Sequence, residues 1–311
     1  MRRIILETQI WGEWYCDMFI KHVFPYVKEM VSEINKYPIE LHLYLDECAE
    51  IKLLSYLERL PINSQIFHIE EISKSDWLYT KEADCKFHCM SRAVELDAAI
   101  IFVDPNQIVS RGSWAYMLRQ IEQGYDACVS KALRTTKNIT LEGQRESKEL
   151  VKLAFEFLHP LYETWKWQNL GKVKSLPCAT FYEVDKTCLI AHGLHMAIPM
   201  VYPKTKGRRE GFSPDHCFNT GWGLDEIKVI DDSSDAFFLE ICKDVVEYKG
   251  EFSETSSLER WKQMLSEPCF TKQNLENALT PIFIHSEGVK DFVNEFSEIT
   301  QRTIKEEIAR R

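Results

Sequence analysis

Glycine and proline are scarce in this 311-residue chain, at 12 and 11 residues, which excludes collagen-like and low-complexity compositions. Positive charge is scarce as well. Against 48 Asp and Glu stand only 38 Lys and Arg, a net charge of −10, the wrong sign for a protein whose main partner is a phosphate backbone. The longest purely apolar run, Ala98-Ala99-Ile100-Ile101-Phe102-Val103, falls far short of the roughly 20 residues of a membrane-spanning helix. At the start, Met1-Arg2-Arg3-Ile4-Ile5-Leu6 reaches polar Glu7-Thr8-Gln9 too soon for a secretory h-region, so the chain reads as cytoplasmic. Three loop signatures are missing: Gly-x-x-x-x-Gly-Lys, Gly-x-Gly-x-x-Gly and Gly-x-Ser-x-Gly. P-loop NTPases, dinucleotide oxidoreductases and α/β-hydrolases are thereby disfavoured.

What the chain does have is core material, with 45% hydrophobic residues, and a clear alternation of strand and helix signals over its first 135 residues. Ile4–Ile10 reads as a strand. Apolar residues at helical spacing follow, interrupted at Pro25, which marks a kink or a break between two helices. Ile39–Leu45 alternates as a second strand and ends on Asp46. A short helix over about 48–60, a strand near 65–69 and a helix through about 80–96 lead to the uniformly apolar strand Ala98–Val103, the pattern of a strand buried on both faces. A helix over about 112–123, closed by Gly124, precedes a strand at 126–131. Five strands with helical crossovers predict an open doubly wound sheet whose ligands bind at the strands' carboxyl ends. Strand-like pieces recur at 178–184, 196–202 and 227–230, and beyond Ser253 the chain reads as helices. The ten cysteines are scattered through these elements and read as reduced, mostly buried thiols.

One element stands out chemically. The central apolar strand ends on Asp104-Pro105-Asn106, followed by Ser110-Arg111-Gly112-Ser113 and a helix. A carboxylate with an amide two residues on, at the carboxyl edge of a parallel strand, can hold a divalent metal or a ribose; equally, Asp-Pro-Asn is ordinary turn chemistry.

Taken together, the first strand followed by Trp11-Gly12-Glu13, Asp46 closing the second strand, the Asp104-Pro105-Asn106 element and Gly124-Tyr125-Asp126-Ala127 resemble the GT-A-fold glycosyltransferases, the nucleotide-diphospho-sugar transferases, in a divergent bacterial branch. The resemblance implies a doubly wound mixed α/β sheet flanked by helices, with a helical C-terminal region. It divides the chain into a nucleotide-sugar-binding half (1–135), an acceptor half completing the same domain (136–250) and a helical appendage (251–311). It further implies transfer of a sugar from a nucleotide-sugar donor to a saccharide, glycolipid or small-molecule acceptor. In the family an Asp-X-Asp element binds Mn²⁺ or Mg²⁺ on the donor's diphosphate. Here the second acid is Asn106, a weaker ligand for hard cations, so neutralisation by basic side chains is the alternative. Lys81, Arg92, Arg134, Lys204, Lys206, Arg208 and Arg209 are the candidates.

Trp11 follows the first strand, where an aromatic ring can stack on a base or simply pack. Thr8 and Asp46 could bond base or ribose, or serve as a turn residue and a helix cap. With Asp104, Asn106 and Arg134 these are the expected donor-binding residues. In the second half, Ala191-His192-Gly193-Leu194-His195 and Ser213-Pro214-Asp215-His216 are rich in histidine. By the resemblance His195 contacts diphosphate or a metal shared with Asp104 and Asn106, and Asp215 activates the acceptor. The aromatic set Tyr162, Trp165, Trp167, Phe181 and Tyr182 serves either as a sugar platform or as core. Two other readings stay open: a sugar nucleotidyltransferase, and a catalytically degenerate domain that only binds.

Overall fold

The computed structural model describes residues 1–59, 62–136, 139, 146–172, 179–204, 226–242, 255–267, 270–288 and 295–311. In chain order the elements are β1 (Arg3–Ile10), α1 (Gly12–Met18), a π-helical turn (Phe19–Val23), α2 (Phe24–Glu33), β2 (Ile39–Leu45), α3 (Glu47–Leu57), β3 (Asn63–His68), α4 (Ile69–Ile72), α5 (Leu78–Leu96), β4 (Ala98–Phe102), β5 (Gln107–Val109) and α6 (Ser113–Glu122). Then come β6 (Ala127–Ser130), β7 (Leu133–Thr135), α7 (Ser147–Glu156), α8 (Leu161–Trp165), a 3₁₀ segment (Trp167–Lys172), β8 (Ala179–Asp185), β9 (Cys188–Gly193), β10 (Ala197–Val201), β11 (Ile227–Val229) and β12 (Phe238–Ile241). The chain closes with α9 (Ser257–Leu265), α10 (Lys272–Asn277), β13 (Ile282–His285) and α11 (Glu295–Arg310). Two compact units result: Met1–Val129 with Ile198–Lys228, and Ser130–Ala197 with Val229–Arg311.

The first unit is built on a mixed sheet of order β11-β6-β10-β4-β1-β2-β3. Strands β1, β2, β3 and β4 are mutually parallel, and β10 lies antiparallel beside β4. Seven of the eight residues of β1 and all five of β4 are buried, as expected where helices cover each face of a parallel sheet; β4 reads as a continuous apolar run, whereas β1 buries the polar residues Glu7, Thr8 and Gln9 as well. Asp97 ends α5 in the left-handed region (φ 53°) and turns the chain straight into β4. Gly124, at φ 110°, does the same work after α6. Pro25 sits in the first turn of α2, where its missing N–H costs nothing, and the π-helical turn before it separates α1 from α2.

The second unit holds an antiparallel sheet of order β13-β9-β8 and a parallel β7–β12 pair. Its core gathers Leu170, Leu194, Trp261, Met264, Leu265, Leu275 and Ile304. Helix α9 starts with a capping box of Ser256 and Glu259, and α10 with the Thr271–Asn274 equivalent. Within the C-terminal stretch expected to be helical, Ile282–His285 is instead a strand. Four residues are too few to carry a periodicity, and their extended form is set by pairing with β9.

Gly171, in the 3₁₀ segment, meets the backbone of Thr255 so closely that a Cβ there would lie 1.9 Å from the Thr255 carbonyl oxygen. Neither backbone can yield as a flexible side chain would. Gly171→Ala is therefore expected to destabilise the protein by about 1–3 kcal/mol or more, read by chemical denaturation. A midpoint equal to wild type would show that the two segments separate at little cost.

Candidate functional site

The order of the sheet creates a switch point. The chain adds β2 and β3 on one side of β1, then crosses back through α5 to place β4 on the other side. In open α/β sheets ligands bind at the carboxyl ends of the two strands where the order reverses, here β1 and β4. Glu7 pairs with Phe102, the last residue of β4, and the next amide, Val103 N–H, donates to the Glu7 carbonyl at 2.7 Å. Immediately beyond, Asp104 to Gln107 form a tight turn in which Gln107 N–H donates to the Asp104 carbonyl at 3.0 Å. Asp104 is half-buried and Asn106 buried. The turn chemistry of Asp-Pro-Asn is thus realised, and it delivers the acid to the switch point.

Glu7 and Gln9 share one face of β1, two residues apart, and that face lies under α5. Gln9 Nε2 donates to Glu7 Oε1 at 2.8 Å and to the Glu82 carbonyl of α5 at 3.1 Å. One turn on, Lys86 Nζ donates to Glu82 Oε1 at 2.8 Å and stands 5.3 Å from the centre of the Phe102 ring. Glu7 is only 2% exposed, and burial pushes its carboxyl up to about 8. Lys86 and the Gln9 bond pull it back down, while Asp104 and Glu82 add to the rise. At neutral pH Glu7 therefore keeps its proton. Gln9 Oε1 and, on the opposite face of β1, Thr8 Oγ1 are buried without a hydrogen-bond partner. The Glu7 carboxyl, the Lys86 ammonium and the Gln9 amide meet beside Asp104, a set able to bond both the hydroxyls and the phosphate oxygens of a ligand.

Of the expected donor-binding residues, Thr8, Trp11, Asp46, Asp104 and Asn106 all lie at or next to the carboxyl ends of β1, β2 and β4. Asp46 is fully engaged in local structure: Oδ1 accepts from Ala49 N–H and Oδ2 from Gly12 N–H, each at 2.7 Å. It caps α3 and pins the start of α1. Trp11 stands at the start of α1, partly exposed, with its ring centre 5.0 Å from that of Tyr15. The serines after the acid bond each other, Ser110 Oγ to Ser113 Oγ at 2.7 Å, and Gly112 N–H donates to Glu33 at 3.0 Å.

Arg134 belongs to the second unit, on β7 directly opposite Glu240 of β12. Its Nε lies 3.0 Å from Glu240 Oε2, and that carboxylate raises the guanidinium's already high pKa. His195, also in the second unit, stands in the bend between β9 and β10, its carbonyl accepting from Lys131 Nζ at 3.3 Å. Asp215, with Lys206, Arg208 and Arg209, lies outside the described residues. Lys204 pairs with Asp126 at 2.6 Å, Lys81 with Glu70 at 3.8 Å, and Arg92 donates to Gln65 at 3.0 Å. The aromatic set resolves toward packing, since Tyr162, Trp165 and Phe181 are buried with ring centres 4.9–6.3 Å apart.

Among the described residues no group of three or more His, Cys, Asp or Glu is arranged to hold a metal ion. Asp104 and Asn106 supply hard oxygen donors of the type Mg²⁺ and Mn²⁺ take, too few for a dedicated cage but enough for an ion held mainly by a ligand's phosphates. Glu7, Gln9 and Lys86 are functional candidates absent from the sequence reading. Their signal was three consecutive polar residues, Glu7-Thr8-Gln9, inside an otherwise apolar central strand.

No protein-family model matches the chain, and no curated protein matches it in sequence. Among solved structures it is similar to the 1–349 portion of S. aureus TarS, with a TM-score of 0.35 and 7% identity over 98% of this chain and 71% of that one. It is also similar to the galactosyltransferase LgtC in complex with donor and acceptor sugar analogues, at a TM-score of 0.34 and 8% identity over 97% and 95%. An active-site mutant of LgtC gives 0.29 and 10% over the same shares. At these values no residue of this chain takes a role from them.

The state of Glu7 is open to measurement. Its folded pKa, about 8 against an ordinary 4.5, means that its contribution to stability is present below about 4.5 and is lost as pH rises through about 8. Melting temperatures of wild type should therefore fall between pH 5 and pH 8.5 relative to Glu7→Gln, whose amide does not titrate. Parallel profiles for the two proteins would show that Glu7 ionises normally.

Proposed function

We propose that this protein is a glycosyltransferase that binds a nucleotide-sugar donor across the carboxyl ends of β1 and β4. The observation that supports this most is the meeting of Glu7, Gln9 and Lys86 with Asp104 and Asn106 at the switch point. In the reaction the bond from the anomeric carbon to the diphosphate oxygen breaks, a bond to the acceptor oxygen forms, and the acceptor's proton passes to a base. Negative charge grows on the departing diphosphate, so donors held in place before the reaction contribute most. Lys86 and the Gln9 amide take that part. Neutral Glu7 donates a further hydrogen bond without adding negative charge. Asp104 and Asn106 hold the ribose or a divalent ion on the diphosphate; such an ion supplies charge neutralisation when bound. Thr8 and Trp11 contact the base, while Asp46 shapes the α1 turn beneath it through its two caps. Asp215 serves as the base, His195 and Arg134 as contacts of the second half, and the acceptor is a saccharide, a glycolipid or a small molecule.

The test combines binding and turnover. Thermal shift with UDP-, GDP-, CMP- and dTDP-sugars, with and without Mn²⁺, is expected to single out one donor nucleotide; no stabilisation by any of them sinks the proposal. With that donor, Asp104→Ala and Lys86→Ala should each lower the rate of sugar release about 10²–10³-fold, the loss typical of a group stabilising developing charge. Donor binding with no turnover to lose would favour the binding-module reading. Release of inorganic diphosphate from a nucleoside triphosphate and a sugar phosphate would favour the nucleotidyltransferase.

A further inference from the structure

We infer that Glu82 is the positioning residue of the switch-point site: its carboxylate fixes Lys86 and its carbonyl fixes Gln9, so that the cation and the amide offered to a diphosphate share one support. That a diphosphate is what they meet rests on the glycosyl-transfer reading. The two bonds are Lys86 Nζ to Glu82 Oε1 at 2.8 Å and Gln9 Nε2 to the Glu82 carbonyl at 3.1 Å. Gln9 passes the constraint on, since the same Nε2 donates to Glu7 Oε1 at 2.8 Å. Through these bonds a single residue of α5 orients side chains of both α5 and β1.

A Glu–Lys pair four residues apart is common on helices, and where it is exposed it contributes little. Lys272 and Glu276 on α10 form such a pair, 3.8 Å apart with the lysine side chain 64% exposed. The Lys86 side chain is only 10% exposed and that of Glu82 23%, so the ammonium is largely withdrawn from water and bound by the carboxylate instead. For stability alone an apolar side chain of similar length would fill that space at least as well. Keeping a charge there points to a use for the charge.

The support is itself anchored. Ser73 Oγ donates to Asp84 Oδ2 at 2.6 Å on one side of the site; on the other, the Tyr44 hydroxyl meets His88 Nδ1 at 2.8 Å and Arg92 Nη2 donates to Gln65 Oε1 at 3.0 Å. Tyr44 belongs to β2 and Gln65 to β3, so side-chain bonds pin α5 to those two strands while Gln9 pins it to β1. Groups oriented before the reaction need no reorganisation as charge develops on a leaving phosphate.

Charge gives Glu82 a second effect of opposite sign. Its carboxylate lies against the ammonium that attracts an anion, so it weakens the hold on a phosphate while improving the aim of Lys86. Removing that negative charge is therefore expected to tighten anion binding and to slow turnover. A pair that served only the helix would produce neither.

Inorganic diphosphate is titrated calorimetrically into wild type, Lys86→Ala, Glu82→Gln and Glu82→Asp, each as the whole 311-residue chain, with melting temperatures as controls. Lys86→Ala is expected to bind about tenfold more weakly than wild type, Glu82→Gln about threefold more tightly, and Glu82→Asp, which keeps the charge, as wild type does. With an active sugar nucleotide, kcat for sugar release should fall about tenfold in Glu82→Gln while the donor KM stays or drops. The shorter Glu82→Asp should lose about threefold in kcat, which keeps the test available if Glu82→Gln does not fold. In a Lys86→Ala background Glu82→Gln should cost no further turnover. Wild-type kcat in the folded Glu82 variants overturns the inference, and so does a fall in kcat matched by a rise in donor KM. Diphosphate binding that neither Lys86→Ala nor Glu82→Gln alters overturns it as well. Should the diphosphate results hold in a protein that turns over no sugar nucleotide, the support of Lys86 by Glu82 stands and only the transfer reaction is rejected.

Discussion

Burying a carboxyl group in the central strand of a parallel sheet is the constraint around which the first unit is arranged. Glu7 is almost wholly buried, and an ionised carboxylate without a partner is among the costliest groups to place there. The fold meets that cost in two ways. It lets the group keep its proton at neutral pH, and it surrounds it with the Gln9 amide and the Lys86 ammonium, themselves fixed on Glu82 of the helix above. Positions of α5 on β1, and of the β4 end beside Glu7, follow from the same set of bonds. A purely apolar strand would bury its surface as well, so the polar trio Glu7-Thr8-Gln9 is hard to account for by stability alone.

A second device works on the neighbouring strand. Asp46 accepts one backbone N–H from its own helix and one from Gly12 at the head of α1. Two loop-to-helix turns that could move independently are coupled through a single carboxylate, and Trp11 is held between β1 and that anchored glycine. The edge of the sheet is therefore set by short-range bonds rather than by apolar packing, the form of support that keeps a binding surface in one geometry.

Much of the first unit was legible in the sequence, because its strands and helices are long enough to show their periods. Ile4–Ile10, Ile39–Leu45 and Ala98–Val103 match β1, β2 and β4 to within a residue, and the helix expected over 80–96 is α5. Strands β12 and β13 were not legible, since their extended form comes from pairing with β7 and β9, far away in sequence. The same holds for the antiparallel seat of β10 between β4 and β6, which no local signal announces. Asp104 was readable as a strand-tip acid. Lys86 was not, because a lysine on a helix looks like a solvated charge until the burial of its neighbours is known, and Glu7 had served only to argue against a signal peptide. Arg134 illustrates the opposite error: its basic character was visible, but the cross-strand Glu240 that engages it was not.

The seat of β10 also governs how the chain can be made. Strand β4, an unbroken Ala98–Phe102 run of apolar residues, waits for its antiparallel neighbour until nearly a hundred further residues have left the ribosome. During that interval the parallel quartet presents an open, hydrophobic edge with unpaired backbone groups, the kind of template on which nascent chains adhere to one another. Fragments that stop short of Ala197–Val201 would carry that unpaired edge permanently.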